Sequence, residues 1–120
     1  MDGTMNAFVG MNAAMRFNEK INQQDLEGIA ELMTEDHAFI DNEGTVTKGR
    51  EAMKEGWNRF FRQFSDYRNV FNTVTVQNEV VVMVGCSICS HPQLNGPNIW
   101  TAKVVGHQIS EWRVIWLDKR

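Results

Sequence analysis

Apolar residues recur at helical spacing in three stretches of the chain and alternate at strand spacing in five, with the helical stretches in the first half. From Met5 to about Asn22, Phe8, Val9, Met11, Ala13, Ala14, Met15, Phe17 and Ile21 wrap more than half of a helix, with Thr4 as the expected N-cap. A stripe that wide predicts a helix covered on two sides. Asp25 is the expected cap of a short second helix carrying Leu26, Ile29, Ala30 and Met33. From about Arg50, residues Met53, Trp57, Phe60, Phe61 and Phe64 form one aromatic stripe, while Arg50, Lys54, Glu55, Arg59 and Arg62 mark the wet side. Glu55 and Arg59 stand in the favourable order for an i,i+4 ion pair. Between the second and third helices, strand spacing puts His37, Phe39 and Asp41 on one face and Ala38 and Ile40 on the other.

The second half reads as strand throughout. Arg68 to Val76 alternates, and Gln77-Asn78 is the expected turn into a long strand from Glu79 to Ser90. A loop, HPQLNGPN, follows it. Ile99 to Val105 and Gln108 to Leu117 then pair around Gly106-His107, a two-residue hairpin with Gly first, as a type II′ turn prefers. In EVVVMVGCSICS both faces of the strand are apolar: Val80, Val82, Val84, Cys86 and Ile88 on one, Val81, Met83 and Cys89 on the other. A sheet with one wet face alternates apolar with polar, so this one needs cover on both sides. Three helices can cover one. A second copy of the chain, packed on the convex face, is the expected cover of the other, and Met83→Lys or Val81→Glu is expected to give monomers or insoluble protein.

At 120 residues the chain is read as a single domain spanning residues 1–120. A net charge of −3 and the absence of any Lys/Arg run before Lys119-Arg120 argue against nucleic acid and anionic membranes as partners. No apolar stretch is long enough to span a bilayer, and MDGTMNAFVGMNAAM lacks the basic start of a secretory leader, so a cytoplasmic protein is expected. Cys86, Cys89 and His91 form C-x-x-C-x-H, but strand spacing puts Cys86 opposite the other two. Zinc needs four converging ligands, so no metal site is expected and the cysteines read as small hydrophobes.

The order of helix, short helix, strand, long helix and antiparallel meander predicts an α+β cone, a strongly curved antiparallel sheet wrapped around a long helix. The residues along it resemble the nuclear-transport-factor-2-like (cystatin-like) superfamily, in particular its SnoaL-like and ketosteroid-isomerase-like proteins. The likeness is carried by NQQDLEGIAELMTED (Asn22 to Asp36), AFID (Ala38 to Asp41), KGREAM (Lys48 to Met53) and the terminal WRVIW. It implies acid–base chemistry without metal or cofactor, with Asp41 where ketosteroid isomerases place their general base. It also implies that the oxyanion-donating tyrosine is replaced by Phe17, and that the second acid falls near Thr101 or Ala102, neither of them acidic. Without such donors an enolate loses support on the order of 100-fold or more each, so steroid isomerisation is not expected. Trp116 matches a tryptophan of the family's pocket wall, which puts Trp112 and Val114 on the same inner face.

Asp41 has two readings. In a pocket lined by Trp57, Phe60, Phe61, Trp112 and Trp116 it would be a desolvated base; in Asp41-Asn42-Glu43-Gly44 it would start a turn. Phe17, His37, Phe39 and Trp100 complete the expected ligand-binding set. A His37–Asp41 dyad is excluded, because four residues of strand span roughly 13 Å. Two functions follow: a small acid–base enzyme of the isomerase, dehydratase or cyclase kind acting on an apolar carbonyl compound, or a non-catalytic module holding a small apolar ligand or a partner.

Overall fold

A computed structural model describes residues 6–120; Thr4, the expected cap, lies outside them. Asn6 caps the first helix, α1 (Ala7–Gln23), its side chain accepting the N–H groups of Phe8 and Val9. Gln24, at φ 57°, ends it in a left-handed turn. Asp25 caps α2 (Leu26–Glu31) through the Gly28 N–H, as expected. That bond, with Lys20 beside it, holds the Asp25 carboxyl below its ordinary range. α3 (Arg50–Gln63) buries Met53, Trp57 and Phe61, and Glu55 and Arg59 pair at 3.9 Å.

The strands are β1 (Met33–Ile40), β2 (Val46–Lys48), β3 (Arg68–Gln77), β4 (Val80–Ile88), β5 (Gly96–Val105) and β6 (Gln108–Trp116). They form one six-stranded sheet in the order β2-β1-β6-β5-β4-β3. The expected antiparallel sheet is corrected at one seam: β1 runs parallel to β6, so the sheet is mixed. The β5–β6 hairpin turns at Gly106, φ +63°, while His107 keeps a negative φ, as a type II′ turn requires. The β3–β4 turn lies one residue later than expected, at Asn78-Glu79, both left-handed at φ 51° and 64°.

Three irregularities bend the sheet around the helices. Register shifts interrupt β1 against β6 between Met33 and Ala38, β3 against β4 between Phe71 and Thr73, and β5 against β6 between Lys103 and Val104. Each extra residue reverses which side chains face inward. In β3 the inner face is Asn69 and Phe71 before the bulge, then Val74 and Val76 after it. Val70 consequently points outward and is 43% exposed.

The inner face of β4 is Val81, Met83, Gly85 and Ser87, all buried against the helices; Val82, Val84 and Cys86 face outward, half-buried, with Ile88 exposed. Both faces are apolar, as read. The choice of Val81 and Met83 to test the outer face is corrected, because both are fully buried inside the subunit. Cys89 is buried, its thiol donating to Asp66 Oδ1 at 3.3 Å, and burial pushes that thiol up. No group of His, Cys, Asp and Glu side chains among the described residues is arranged to hold a metal ion. No helix among them is long and apolar enough to cross a membrane.

Candidate functional site

Between α3 and the inner face of the sheet lies a cavity of about 330 Å³. All four tryptophans of the chain line it: Trp57 from α3, Trp100 from β5, and Trp112 and Trp116 from β6. Helical spacing presents Met53, Gly56, Trp57 and Phe60 to it, and strand alternation does the same for Trp112, Val114 and Trp116. Phe39 enters from β1, its ring edge-on to Trp57 at 5.9 Å between centroids. Leu94, from the loop after β4, closes one side.

Of the expected ligand-binding residues, the structure brings Phe39, Trp57, Phe60, Trp100, Trp112 and Trp116 to this wall. Three others are placed elsewhere. Phe17 and His37 are fully buried, Phe17 packing tilted against Trp112 at 4.8 Å, and Phe61 lies against Trp57 at 5.4 Å as part of the core. His37 sits next to Phe17 with its Nδ1 2.7 Å from the Ile109 carbonyl. Burial lowers its pKa, partly offset by that carbonyl, so the ring is held neutral with Nδ1–H as the donor. It packs the sheet rather than reaching the cavity.

Asp41 starts the turn, as its second reading had it. Its Oδ1 accepts the N–H groups of Glu43 and Thr45, each at 2.9 Å. The turn is closed by Gly44 N–H donating to the Asp41 carbonyl at 2.9 Å. Gly44, at φ +85°, takes the backbone angle that turn demands. The side chain is thus folded back onto its own turn. Yet Asp41 and Asn42 also line the cavity mouth.

Asn42, Thr47, Arg59, Tyr67 and Asn69 also line the cavity and were not among the expected site residues. Tyr67 is buried, its ring edge-on to Phe60 at 4.8 Å and its hydroxyl 3.0 Å from Ser87 Oγ. Burial pushes its phenol above the ordinary range. Asn69 is 2% exposed, and its Nδ2 has no hydrogen-bond partner among the described residues; the same holds for Trp57 Nε1. Plain alternation along RNVFNTVTV would bury Val70 and expose Asn69, and the bulge after Phe71 reverses that. Behind this wall lies Arg120, whose side chain is 2% exposed. Its guanidinium stacks on Trp116 at 4.4 Å and donates to the Pro97 carbonyl at 2.6 Å and to Asn98 Oδ1.

The profile of the SnoaL-like domain matches residues 14–113. The chain belongs to that family. Its fold is nuclear-transport-factor-2-like, and no curated protein matches the SnoaL-like chain in sequence. An LEH-like epoxide hydrolase of M. tuberculosis superposes with a TM-score of 0.80 at 11% identity, covering 92% of this chain and 84% of that one. A proposed ketosteroid isomerase of Kribbella flavida gives 0.78 at 14%, over 95% and 82%. TerC, co-crystallised with polyporic acid, gives 0.77 at 15%, over 90% and 91%. At such identities the likeness shows the fold alone. Their described activities differ, so the site's chemistry has to be argued from this SnoaL-like protein's own residues.

Proposed function

We propose that this SnoaL-like protein holds a small, flat, largely apolar molecule in its aromatic cavity. The observation that carries the reading is the convergence of all four tryptophans, with Phe39 and Phe60, on one open-mouthed cavity. A dry apolar cavity of roughly 150 Å³ takes up a single benzene ring; one near 330 Å³ has room for two or three fused rings. Bicyclic and tricyclic ring compounds are expected to quench the tryptophan emission saturably. Gly56 supplies the control, because a Cβ there meets nothing nearer than Met53 Sδ at 3.8 Å. Gly56→Phe should fill the cavity without unfolding α3 and weaken binding at least tenfold. Emission unmoved by every compound, or quenching that Gly56→Phe leaves intact, would remove the reading.

A second reading, cofactor-free acid–base chemistry, is favoured by Asp41 at the mouth of the same cavity. Its Oδ1 is engaged by the turn, which leaves Oδ2 as the oxygen that would take a proton from a bound carbonyl compound. Asp41→Asn preserves an acceptor for the turn and removes the base. It is expected to keep ligand quenching and abolish turnover; turnover surviving in Asp41→Asn would sink the assignment.

The apolar outer sheet face supports a homodimer. Val70, Ile88 and Ile115 stand exposed there beside the half-buried Val82 and Val84, a patch that a monomer rarely leaves bare. Light scattering should give twice 13.8 kDa, and Val84→Lys should halve it. A wild-type mass near that of one chain at micromolar concentration contradicts the dimer.

A further inference from the structure

Asn69 is the best-secured polar residue of the cavity wall, and its secured groups leave one donor over. Its backbone N–H donates to Asn22 Oδ1 at 2.9 Å, and its carbonyl accepts from Asn22 Nδ2 at 2.8 Å. Its side-chain Oδ1 accepts Ser87 Oγ–H at 3.0 Å. The side chain is almost wholly buried and belongs to the wall; its Nδ2 has no hydrogen-bond partner among the described residues, although the side chain stands beside the Tyr67 hydroxyl and works against the effect of burial on that phenol.

The bonds behind Asn69 run in one direction. A guanidinium has donors and no acceptor, so Arg120 fixes Asn98 with Oδ1 toward itself. The Asn98 amide N–H then points the other way, to Ser87 Oγ at 2.7 Å. Ser87 has a single proton, which it passes to Asn69 Oδ1, and its remaining lone pair takes the Tyr67 hydroxyl. Every step from Arg120 therefore donates toward the cavity; its Nε is paired with Asp118 Oδ1 at 2.7 Å, and the Nη2 that faces Asn98 heads a chain in which each bond polarises the next. Gly96 makes the seat for that cation: a Cβ there would lie 2.7 Å from Arg120 Nε.

We infer that Asn69 Nδ2–H recognises a carbonyl oxygen of the ligand, strengthened through Ser87 and Asn98 by the buried Arg120 guanidinium. This rests on the reading that the cavity takes a small molecule, and it narrows that molecule to a ring compound bearing a carbonyl. The wall offers two donors without a hydrogen-bond partner among the described residues, Asn69 Nδ2 and Trp57 Nε1. A carbonyl oxygen accepts without bringing a proton that needs its own partner. The χ2 torsion of asparagine is soft, so the amide can tilt toward the ligand while Oδ1 stays within reach of Ser87. Asn69 would touch the ligand; Arg120, Asn98 and Ser87 are positioning residues.

The test compares 2-acetylnaphthalene with 2-isopropenylnaphthalene, which has nearly the same shape and no oxygen. Calorimetry on the wild type should show the ketone bound about tenfold more tightly, the worth of one satisfied buried donor. Asn69→Leu should erase the preference and keep the hydrocarbon affinity. Arg120→Met, remote from the ligand, should narrow the preference. The carbonyl stretch of the bound ketone should lie lowest in the wild type and higher in Arg120→Met, a shift that a merely structural role would not produce. Equal affinities in the wild type overturn the inference and leave the cavity reading standing; binding of neither probe removes both. If Asn69→Leu does not fold, the wild-type pair and Arg120→Met still decide.

Discussion

Gly85→Ala is expected to unfold the protein or to reduce its stability by more than about 4 kcal/mol. A Cβ on Gly85 would stand 1.9 Å from the Val70 carbonyl oxygen and 2.9 Å from Phe71 Cα. Both obstacles are backbone, so no side-chain rotation relieves the overlap. The contact arises where Phe71 pairs with Gly85 and the register then slips to Thr73 with Val84, leaving Asn72 as the extra residue. The bulge presses β3 onto β4 at this point and bends the sheet around α1. Relieving the clash would mean parting the β3–β4 ladder or losing the bulge. Losing the bulge would turn Val74 and Val76 outward. Equilibrium urea unfolding measures the effect, and a loss below about 1 kcal/mol would show that the two strands can separate there without cost.

The same bulge explains what could be read from the sequence and what could not. Met53, Trp57 and Phe60 of the α3 stripe and the Trp112, Val114, Trp116 series obey a single local period, and these reach the cavity. Asp25 and Gly106 act through bonds and angles within their own turns, and these too were legible. Asn69 was not, because its facing depends on one inserted residue whose effect is felt only through the partner strand. Phe17, His37 and Phe61 share inward faces with the cavity residues, but periodicity gives the direction of a side chain and not its depth. They lie one layer behind the wall. Arg120 shows no periodicity at all; the Trp116 ring and the space left by Gly96 hold it. The parallel seam of β1 with β6 joins residues more than 70 apart, beyond any local pattern.

Trp57→Ala is expected to cost about 3–5 kcal/mol, although Trp57 lines a cavity. The indole is 6% exposed and touches three rings, Phe39 at 5.9 Å, Phe60 at 5.7 Å and Phe61 at 5.4 Å. Truncation would join its volume to the existing space, and neighbours fixed on α3 and on β1 cannot collapse into the gap. Trp57→Phe should behave differently, costing less than about 1.5 kcal/mol. It keeps a ring among the three partners and removes Nε1–H, which is buried without an acceptor among the described residues and therefore a burden on the unliganded fold. Urea unfolding of the two variants separates packing from polar satisfaction. A loss below about 1 kcal/mol for Trp57→Ala would mean that the indole belongs to an open mouth and contributes little to the core. A loss for Trp57→Phe as large as that for alanine would mean that Nε1–H has an acceptor in solution, and the donor set of the cavity would then shrink to Asn69.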